Sequence, residues 1–203
     1  MKAQTGVVIL AGGRSERMKY PKCYLQIRGQ TFAEAIATAY ADAGFPAVGL
    51  VIRREYTSGE WEQHFQTVMT RLAFAHILDT DAGRFYSVRS GLTTFADADF
   101  CFIHNVDNPV ISTTTIQTLW QNRAMNGYTE CRHKGRGGHP ILLSRPVIHR
   151  IIEMKQTECN LRDVLRGFAK NTVNVDSADA CGISIQPMIT GTWWTVTTLN
   201  NCF

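Results

Sequence analysis

The sequence predicts an α/β fold, built as an open, mostly parallel sheet with helices on both faces. Short apolar runs, typical of strands buried on both faces, alternate with segments whose apolar residues recur at helical spacing. The first run, residues 7–10, is bounded by Gly6 and by the adjacent glycines Gly12 and Gly13. Strands and helices that alternate in this way produce a parallel sheet wrapped by helices.

The first half of the chain predicts three strands and three helices. Thr31 and Glu34 form a capping box at the start of the first helix, and Gly44 ends it. The later elements follow from apolar runs for strands and from apolar stripes for helices. The strands are predicted at 7–10, 47–52 and 74–78, and the helices at 32–43, 61–72 and 85–95.

The second half predicts four more strands and three more helices. The fourth strand ends before Pro109, which regular structure does not pass. Ser112 and Asn160 are predicted N-caps of helices, and a basic, Gly-rich turn separates two strands. The strands are predicted at 100–104, 128–132, 140–143 and 173–175, and the helices at 112–120, 147–152 and 160–168.

Composition narrows the class of protein. The chain has 203 residues, a formal net charge of +4 and 44% hydrophobic residues, enough to bury the core of a single domain spanning residues 1–203. The basic residues are scattered except at 132–136, so we expect no nucleic-acid partner. No apolar run approaches the ~18 residues of a membrane helix. Six cysteines without CxxC spacing argue against a zinc site and favour a cytoplasmic protein.

Ligands of such sheets bind at the carboxyl ends of the strands, so the loops after the first and fourth strands are the places to search. In the first loop, Gly12 and Gly13 allow a sharp turn that presents backbone N–H groups to an anion. Arg17 and Lys22 are cations suited to phosphate oxygens. The loop lacks the glycine spacing of a dinucleotide-binding fold or of a P-loop, which argues against an NAD-type dehydrogenase.

The same loop resembles a known family. Residues 10–22, LAGGRSERMKYPK, are similar to the LAGG-x-S-x-R-M signature and following lysine of the MobA and MocA-like NTP transferases, the nucleotidyltransferases of the molybdenum cofactor. Residues 83–92, 106–109 and 138–143 resemble the family's G-x-x-x-S-L-x-x-G-L, V-D-x-P and GHPVL segments. The resemblance covers about residues 5–175. It implies a three-layer, Rossmann-like fold of the nucleotide-diphospho-sugar transferase type, with 183–203 as an atypical tail.

The resemblance also implies a reaction and a set of site residues. An acceptor oxygen attacks the α-phosphorus of a nucleoside triphosphate, and pyrophosphate leaves. Arg17 then meets the pyrophosphate, Lys22 the α-phosphate and Asp107 a Mg²⁺ ion, while Gly138 and His139 bind the acceptor. The implied nucleotide-binding residues are Leu10, Ala11, Gly12, Gly13, Ser15, Lys22, Asp79 and Asp107.

The resemblance leaves the nucleotide and the acceptor open. The paired glycines are similar to the GTP-using branch, whereas residues 87–92 and 138–140 are similar to the CTP-using branch. Molybdopterin, as part of the molybdenum cofactor, is the first expected acceptor, and a sugar phosphate or another alcohol phosphate is the alternative. A molybdoenzyme or an accessory protein is an expected macromolecular partner.

One departure from the family pattern concerns the metal. The family ends its core with an acidic D-I-D-T-P-x-D element, where this chain has Gly182 and Ser184, with Asp176 and Asp179 just before them. Either Asp107 and the phosphates hold the metal, or activity is reduced. A nucleotide-binding sensor or accessory protein that has lost catalysis is therefore a second hypothesis.

Several candidate residues also have a purely structural interpretation. Asp79 is as well suited to capping a turn as to contacting a nucleotide, and His139 to a structural role as to facing the acceptor. We expect His104 to pack or bond within the sheet. Cys23, although it follows Lys22, is expected to be a bystander thiol.

Overall fold

The computed structural model describes residues 4–16, 18–79, 83–133, 136–156, 159–175, 183–187 and 194–198. The strands are β1 (Thr5–Ala11), β2 (Gln26–Ile27), β3 (Gln30–Thr31), β4 (Val48–Arg53), β5 (Phe74–Leu78), β6 (Phe100–Asn105), β7 (Gly127–His133), β8 (Arg136–Ser144), β9 (Ala169–Asn174), β10 (Ile183–Pro187) and β11 (Trp194–Thr198). The helices are α1 (Phe32–Asp42), α2 (Glu62–Met69), α3 (Gly83–Thr93), α4 (Thr113–Gln121), α5 (Arg145–Glu153) and α6 (Leu161–Leu165).

A seven-stranded sheet forms the centre of the fold, in the order β5-β4-β1-β6-β8-β7-β9. Strand β8 runs antiparallel to both of its neighbours, and the other neighbouring pairs are parallel. Two small antiparallel pairs, β2–β3 and β10–β11, lie outside this sheet. The predicted open, mostly parallel sheet is confirmed.

Helices cover both faces of the sheet because alternate side chains of each central strand point to opposite sides. On one face, Val7 and Ile9 of β1 belong to a core that includes buried residues of α1 and α4. On the other face, Val8 and Leu10 belong to a core that includes buried residues of α3 and α5. The predicted three-layer arrangement is therefore confirmed.

Hydrogen bonds confirm the predicted N-terminal caps of three helices. The Thr31 backbone N–H donates to the Glu34 carboxylate at 2.8 Å, and the Glu34 N–H donates to the Thr31 hydroxyl at 3.2 Å, which completes the capping box. Ser112 accepts from Thr115 N–H at 3.1 Å, and the side chain of Asn160 caps α6. None of the helices in the described part of the chain has the length and apolarity needed to cross a membrane.

Several elements differ from their predicted bounds. Strand β8 begins at Arg136, four residues before its predicted start, so Gly137 and Gly138, predicted to lie in a turn, belong to the strand that pairs with β7. Helix α6 ends at Leu165, two residues before Gly167, whereas the apolar stripe predicts a helix to residue 168. Strand β9 begins at Ala169, four residues before the predicted start. The apolar pattern does not predict these first residues, because β9 is an edge strand in which Val173 is the one buried residue. An exposed edge strand pairs through its backbone, so its polar sequence carries no apolar signal.

Candidate functional site

The carboxyl ends of β1 and β6 lie side by side at one edge of the sheet. Leu10 is the register partner of Asn105, and the Val106 N–H donates to the Leu10 carbonyl at 3.1 Å. The loops that follow β1 and β6 therefore start next to each other. These are the two loops that the sequence predicts as the ligand-binding region.

Gly12 and Gly13 have different roles in the loop after β1. A Cβ on Gly12 would lie 2.8 Å from Leu78 Cδ1 and 2.9 Å from Ser87 Oγ, whereas a Cβ on Gly13 would have no heavy atom within 4 Å. Gly12 thus allows the loop to approach α3 closely. Gly13 is exposed and leaves backbone accessible to an anion.

The loop then turns tightly through residues 15–19. Ser15 and Lys19 both have a φ of 49°, and the Ser15 carbonyl accepts from Met18 N–H at 2.8 Å and from Lys19 N–H at 3.0 Å. Non-glycine residues in the left-handed region store about 1–3 kcal/mol of strain each and cluster at ligand-binding segments. Arg17, the residue predicted to meet the pyrophosphate, lies outside the described residues.

A tyrosine from the segment after β4 holds this loop in place. The Tyr56 hydroxyl donates to the Arg14 carbonyl at 2.7 Å. Trp61 packs against Tyr56 and also makes an edge contact with Tyr20, at ring-centroid distances of 6.4 and 5.0 Å. The sequence carries no signal for this support, because the hydrogen bond joins two residues that are 42 positions apart in the chain.

The two predicted catalytic side chains that the structure describes are in contact. Lys22 begins a short 3-10 helix directly after Pro21, and its Nζ lies 3.1 Å from Asp107 Oδ2. The Lys22 side chain is 28% exposed and the Asp107 side chain is 55% exposed. A cation from the first loop and a carboxylate from the second therefore face each other at the edge of the sheet, accessible to a substrate.

A buried histidine lies beneath the turn that carries Asp107. His104 Nε2 lies 2.8 Å from the Asn108 carbonyl oxygen, and Nδ1 lies 3.1 Å from the Tyr40 hydroxyl. Burial lowers the pKa of His104 to about 4, so the ring is neutral near pH 7. Nε2–H then donates to Asn108, and Nδ1 accepts from Tyr40. His104 is packed in the core, as expected, but its side chain bonds to α1 and to the turn after β6 and not within the sheet. The second bond holds the residue that follows Asp107.

Gly138 and His139 lie on β8, next to the end of β6. Ile103 of β6 pairs with Ile141 of β8, which places His139 beside the loop after β6. Nε2 of His139 lies 3.2 Å from Nη2 of Arg84, in the first turn of α3. Arg84 is a side chain near the site that the sequence does not indicate, because it occupies an unspecified position of the resembled motif.

Burial and the neighbouring charges together determine the protonation state of His139. Burial, reinforced by the positive charge of Arg84, lowers the pKa of His139 to about 4. An interaction with the Ile103 backbone and the carboxylate of Asp107 act in the opposite direction. His139 is therefore neutral near pH 7 and lies within electrostatic range of Asp107.

Asp79 follows β5 at the same edge of the sheet and forms an ion pair with Arg54. The hydrogen bond from Arg54 lowers the pKa of the Asp79 carboxyl group. Both side chains are largely exposed. A nucleotide that contacts Asp79 must therefore share it with Arg54.

The described residues contain no group of three or more His, Cys, Asp or Glu side chains able to hold a metal ion. Asp107 supplies one exposed carboxylate at the site. Mg²⁺ commonly takes one or two protein carboxylates and completes its shell with phosphates and water, so Asp107 fits a metal that is shared with a bound triphosphate. Asp176, Asp179 and Gly182 lie outside the described residues, and Ser184 lies in β10.

Cys23 is 1% exposed, and burial raises the pKa of its thiol to about 12. The neighbouring cation at Lys22 does not overcome that burial, so Cys23 is a bystander thiol, as expected. Cys101 and Cys159 are also free thiols.

A family model of the MobA-like NTP transferase domain matches residues 7–175 of the chain. The chain belongs to this family. It is therefore a nucleotidyltransferase, and the resemblance based on the first loop is confirmed.

Curated relatives of this MobA-like nucleotidyltransferase include two cytidylyltransferases. The molybdenum cofactor cytidylyltransferase of Escherichia coli (strain K12) is 23% identical over 172 residues, which are 85% of this chain and 86% of that protein. The 2-C-methyl-D-erythritol 4-phosphate cytidylyltransferase of Lachnoclostridium phytofermentans is 25% identical over 114 residues, which are 55% of this chain and 48% of that protein.

Solved structures share the fold of this MobA-like chain. Rv0371c of Mycobacterium tuberculosis H37Rv superposes with a TM-score of 0.70 at 21% identity, covering 87% of this chain and 90% of that one. The structure of the same protein in complex with manganese gives a TM-score of 0.65 at 20% identity, with 94% of each chain covered. At these identities, the likeness establishes the fold.

Proposed function

We propose that this nucleotidyltransferase transfers CMP or GMP from the corresponding triphosphate to a phosphorylated small molecule. An oxygen of the acceptor phosphate forms a bond to the α-phosphorus, the bond from the α-phosphorus to the bridging oxygen breaks, and pyrophosphate leaves with that oxygen. The observation that carries the proposal is the 3.1 Å contact between Lys22 and Asp107 beside the glycine loop. It supports the proposal because a metal-bound triphosphate needs both a cation for its phosphate oxygens and a carboxylate for the metal.

Each predicted residue has a role in this reaction. Lys22 neutralises charge that grows on the α-phosphate, and Arg17 stabilises the departing pyrophosphate. Asp107 would hold Mg²⁺, which when bound withdraws charge from the phosphate oxygens. The residues proposed to bind the rest of the nucleotide are Leu10, Ala11, Gly12, Gly13, Ser15 and Asp79.

The curated relatives favour particular substrates. The two curated relatives described above both carry the name cytidylyltransferase, which supports CTP over GTP. The Escherichia coli relative aligns over most of both chains, which supports a molybdopterin-type acceptor bound beside Gly138 and His139. A molybdoenzyme or accessory protein that receives the product is the partner consistent with that acceptor. The second relative supports an alcohol phosphate as the next candidate.

Pyrophosphate release tests the proposal. The protein with Mg²⁺ is supplied with each of the four nucleoside triphosphates, together with molybdopterin or 2-C-methyl-D-erythritol 4-phosphate. We expect turnover with CTP or GTP that is lost in Lys22→Ala and Asp107→Ala. If triphosphates raise the melting temperature of the wild type but none is turned over, the sensor hypothesis replaces the enzyme. If no triphosphate binds, both are wrong.

A further inference from the structure

Arg84 in the first turn of α3 reaches strand β8 and contacts His139. It is exposed, and its Nη2 lies 3.2 Å from His139 Nε2. Arginine has N–H donors and no acceptor, so Nε2 must accept this hydrogen bond. The proton of the neutral imidazole therefore lies on Nδ1, and the contact orients the guanidinium group.

His139 holds Arg84 without neutralising its charge. Burial and the charge of Arg84 lower the pKa of His139 to about 4, so the ring is uncharged near pH 7. Across the described ranges of the chain, no carboxylate forms a salt bridge with Arg84, whereas Arg54 pairs with Asp79. A guanidinium group bonded to a neutral acceptor keeps its full charge and its other N–H donors for an anion.

The position of Arg84 indicates which anion that is. Asp107 is close enough to act on the pKa of His139, so Arg84 belongs to the same edge of the sheet. The triphosphate is proposed to occupy the glycine loop and Lys22, on the β1 side of Asp107. Helix α3 begins beside the glycine loop, since Ser87 lies 2.9 Å from a Cβ placed on Gly12. The Arg84 guanidinium group, however, is bonded to β8, on the other side of β6, beside Gly138 and His139, where the acceptor is proposed to bind.

We propose that Arg84, oriented by His139, binds the phosphate group of the acceptor and thereby selects a phosphorylated acceptor. This inference rests on the proposed nucleotidyl transfer and adds its acceptor-binding cation. Planar guanidinium groups bind phosphate oxygens bidentately. His139 acts here as a positioning residue for Arg84.

The test uses inorganic phosphate as the probe. It is titrated calorimetrically into full-length protein that is saturated with Mg²⁺ and a non-hydrolysable α,β-methylene analogue of CTP or GTP. We expect Arg84→Ala to weaken phosphate binding roughly ten- to hundred-fold, as for the loss of a charged hydrogen bond. We expect Arg84→Lys to retain part of the affinity, and the affinity for the analogue to change less than two-fold in both variants.

Two sets of control variants test whether phosphate binding depends on Arg84 itself and on its orientation by His139. Arg71→Ala removes another exposed arginine, in the segment before β5 at the opposite edge of the sheet, and should leave phosphate binding unchanged. His139→Gln retains an acceptor for Arg84 and should bind phosphate better than His139→Leu. Circular dichroism confirms that each variant is folded.

The outcomes are distinct. Unchanged phosphate binding in Arg84→Ala, or no phosphate binding by the analogue-loaded wild type, overturns the inference. Loss of analogue affinity in Arg84→Ala assigns Arg84 to the triphosphate and also overturns it. Failure of the wild type to bind the analogue contradicts the proposed function itself, which separates the two failures.

Discussion

Lys22 Nζ and Asp107 Oδ2 lie 3.1 Å apart, so the two predicted catalytic side chains that the structure describes are paired with each other. Both are partly exposed, and exposed ion pairs contribute about 0.2–1 kcal/mol to folding. Their contact therefore contributes little to the stability of the fold. Their proposed role is in the reaction, where Lys22 meets the negative charge of the substrate phosphate and Asp107 the positive charge of the metal.

From this contact we expect Lys22→Ala and Asp107→Ala to change the free energy of unfolding by about 1 kcal/mol or less. Turnover should fall by about 10²–10³-fold, as when one group that stabilises transition-state charge is removed. Urea denaturation and pyrophosphate release, measured on the same samples, check both parts. Destabilisation beyond about 2 kcal/mol with turnover retained would assign the pair a structural role instead.

Acid should destabilise the fold through His104. The pKa of His104 is about 4 in the fold and about 6.5 in the unfolded chain. The unfolded state therefore binds more protons between these values, and stability falls as the pH drops from about 6.5 towards 4. Between pH 7.5 and 5, the loss from His104 should be about 2 kcal/mol.

Urea denaturation at several pH values measures this loss. His104→Gln is the matched variant, because its amide can donate to Asn108 and accept from Tyr40 without titrating. We expect its stability to depend less on pH over this range. An equally steep pH profile in His104→Gln would show that the acid sensitivity arises from other groups.

The strands and the two facing loops were predictable because buried parallel strands are apolar throughout and their carboxyl ends meet at one edge. Lys22 could be selected from its place in the first loop, and Asp107 from the resemblance of residues 106–109 to the family's V-D-x-P segment. Arg84 could not, since its contact with His139 joins α3 to β8, and no local pattern records the distance between them. The support of Arg14 by Tyr56 likewise depends on tertiary packing.

Tyr56 should position the glycine loop through its bond to the Arg14 carbonyl. Removing one such hydrogen bond costs about 0.5–1.5 kcal/mol, so we expect Tyr56→Phe to raise KM for the nucleotide about two- to ten-fold with a smaller change in kcat. Steady-state kinetics at saturating acceptor measure this. Tyr128→Phe is the control, because within the described ranges the Tyr128 hydroxyl makes no hydrogen bond. Equal effects of the two substitutions would contradict a specific role for Tyr56.

Gly12 and Gly13 should respond differently to the same added methyl group. In Gly12→Ala the new Cβ lies 2.8 Å from Leu78 Cδ1 and 2.9 Å from Ser87 Oγ, so the Leu78 and Ser87 side chains or the loop itself must shift. Overpacking of this kind costs about 1–3 kcal/mol, and we expect Gly12→Ala to lower stability by that amount.

In Gly13→Ala the methyl group enters open space, so folding should be unaffected while nucleotide affinity falls, because the methyl group obstructs the exposed backbone. Urea denaturation measures the free energy of unfolding of both variants, and titration with a non-hydrolysable CTP analogue measures the nucleotide affinity of Gly13→Ala. Full nucleotide affinity in Gly13→Ala would contradict the proposed approach of the phosphates to this backbone.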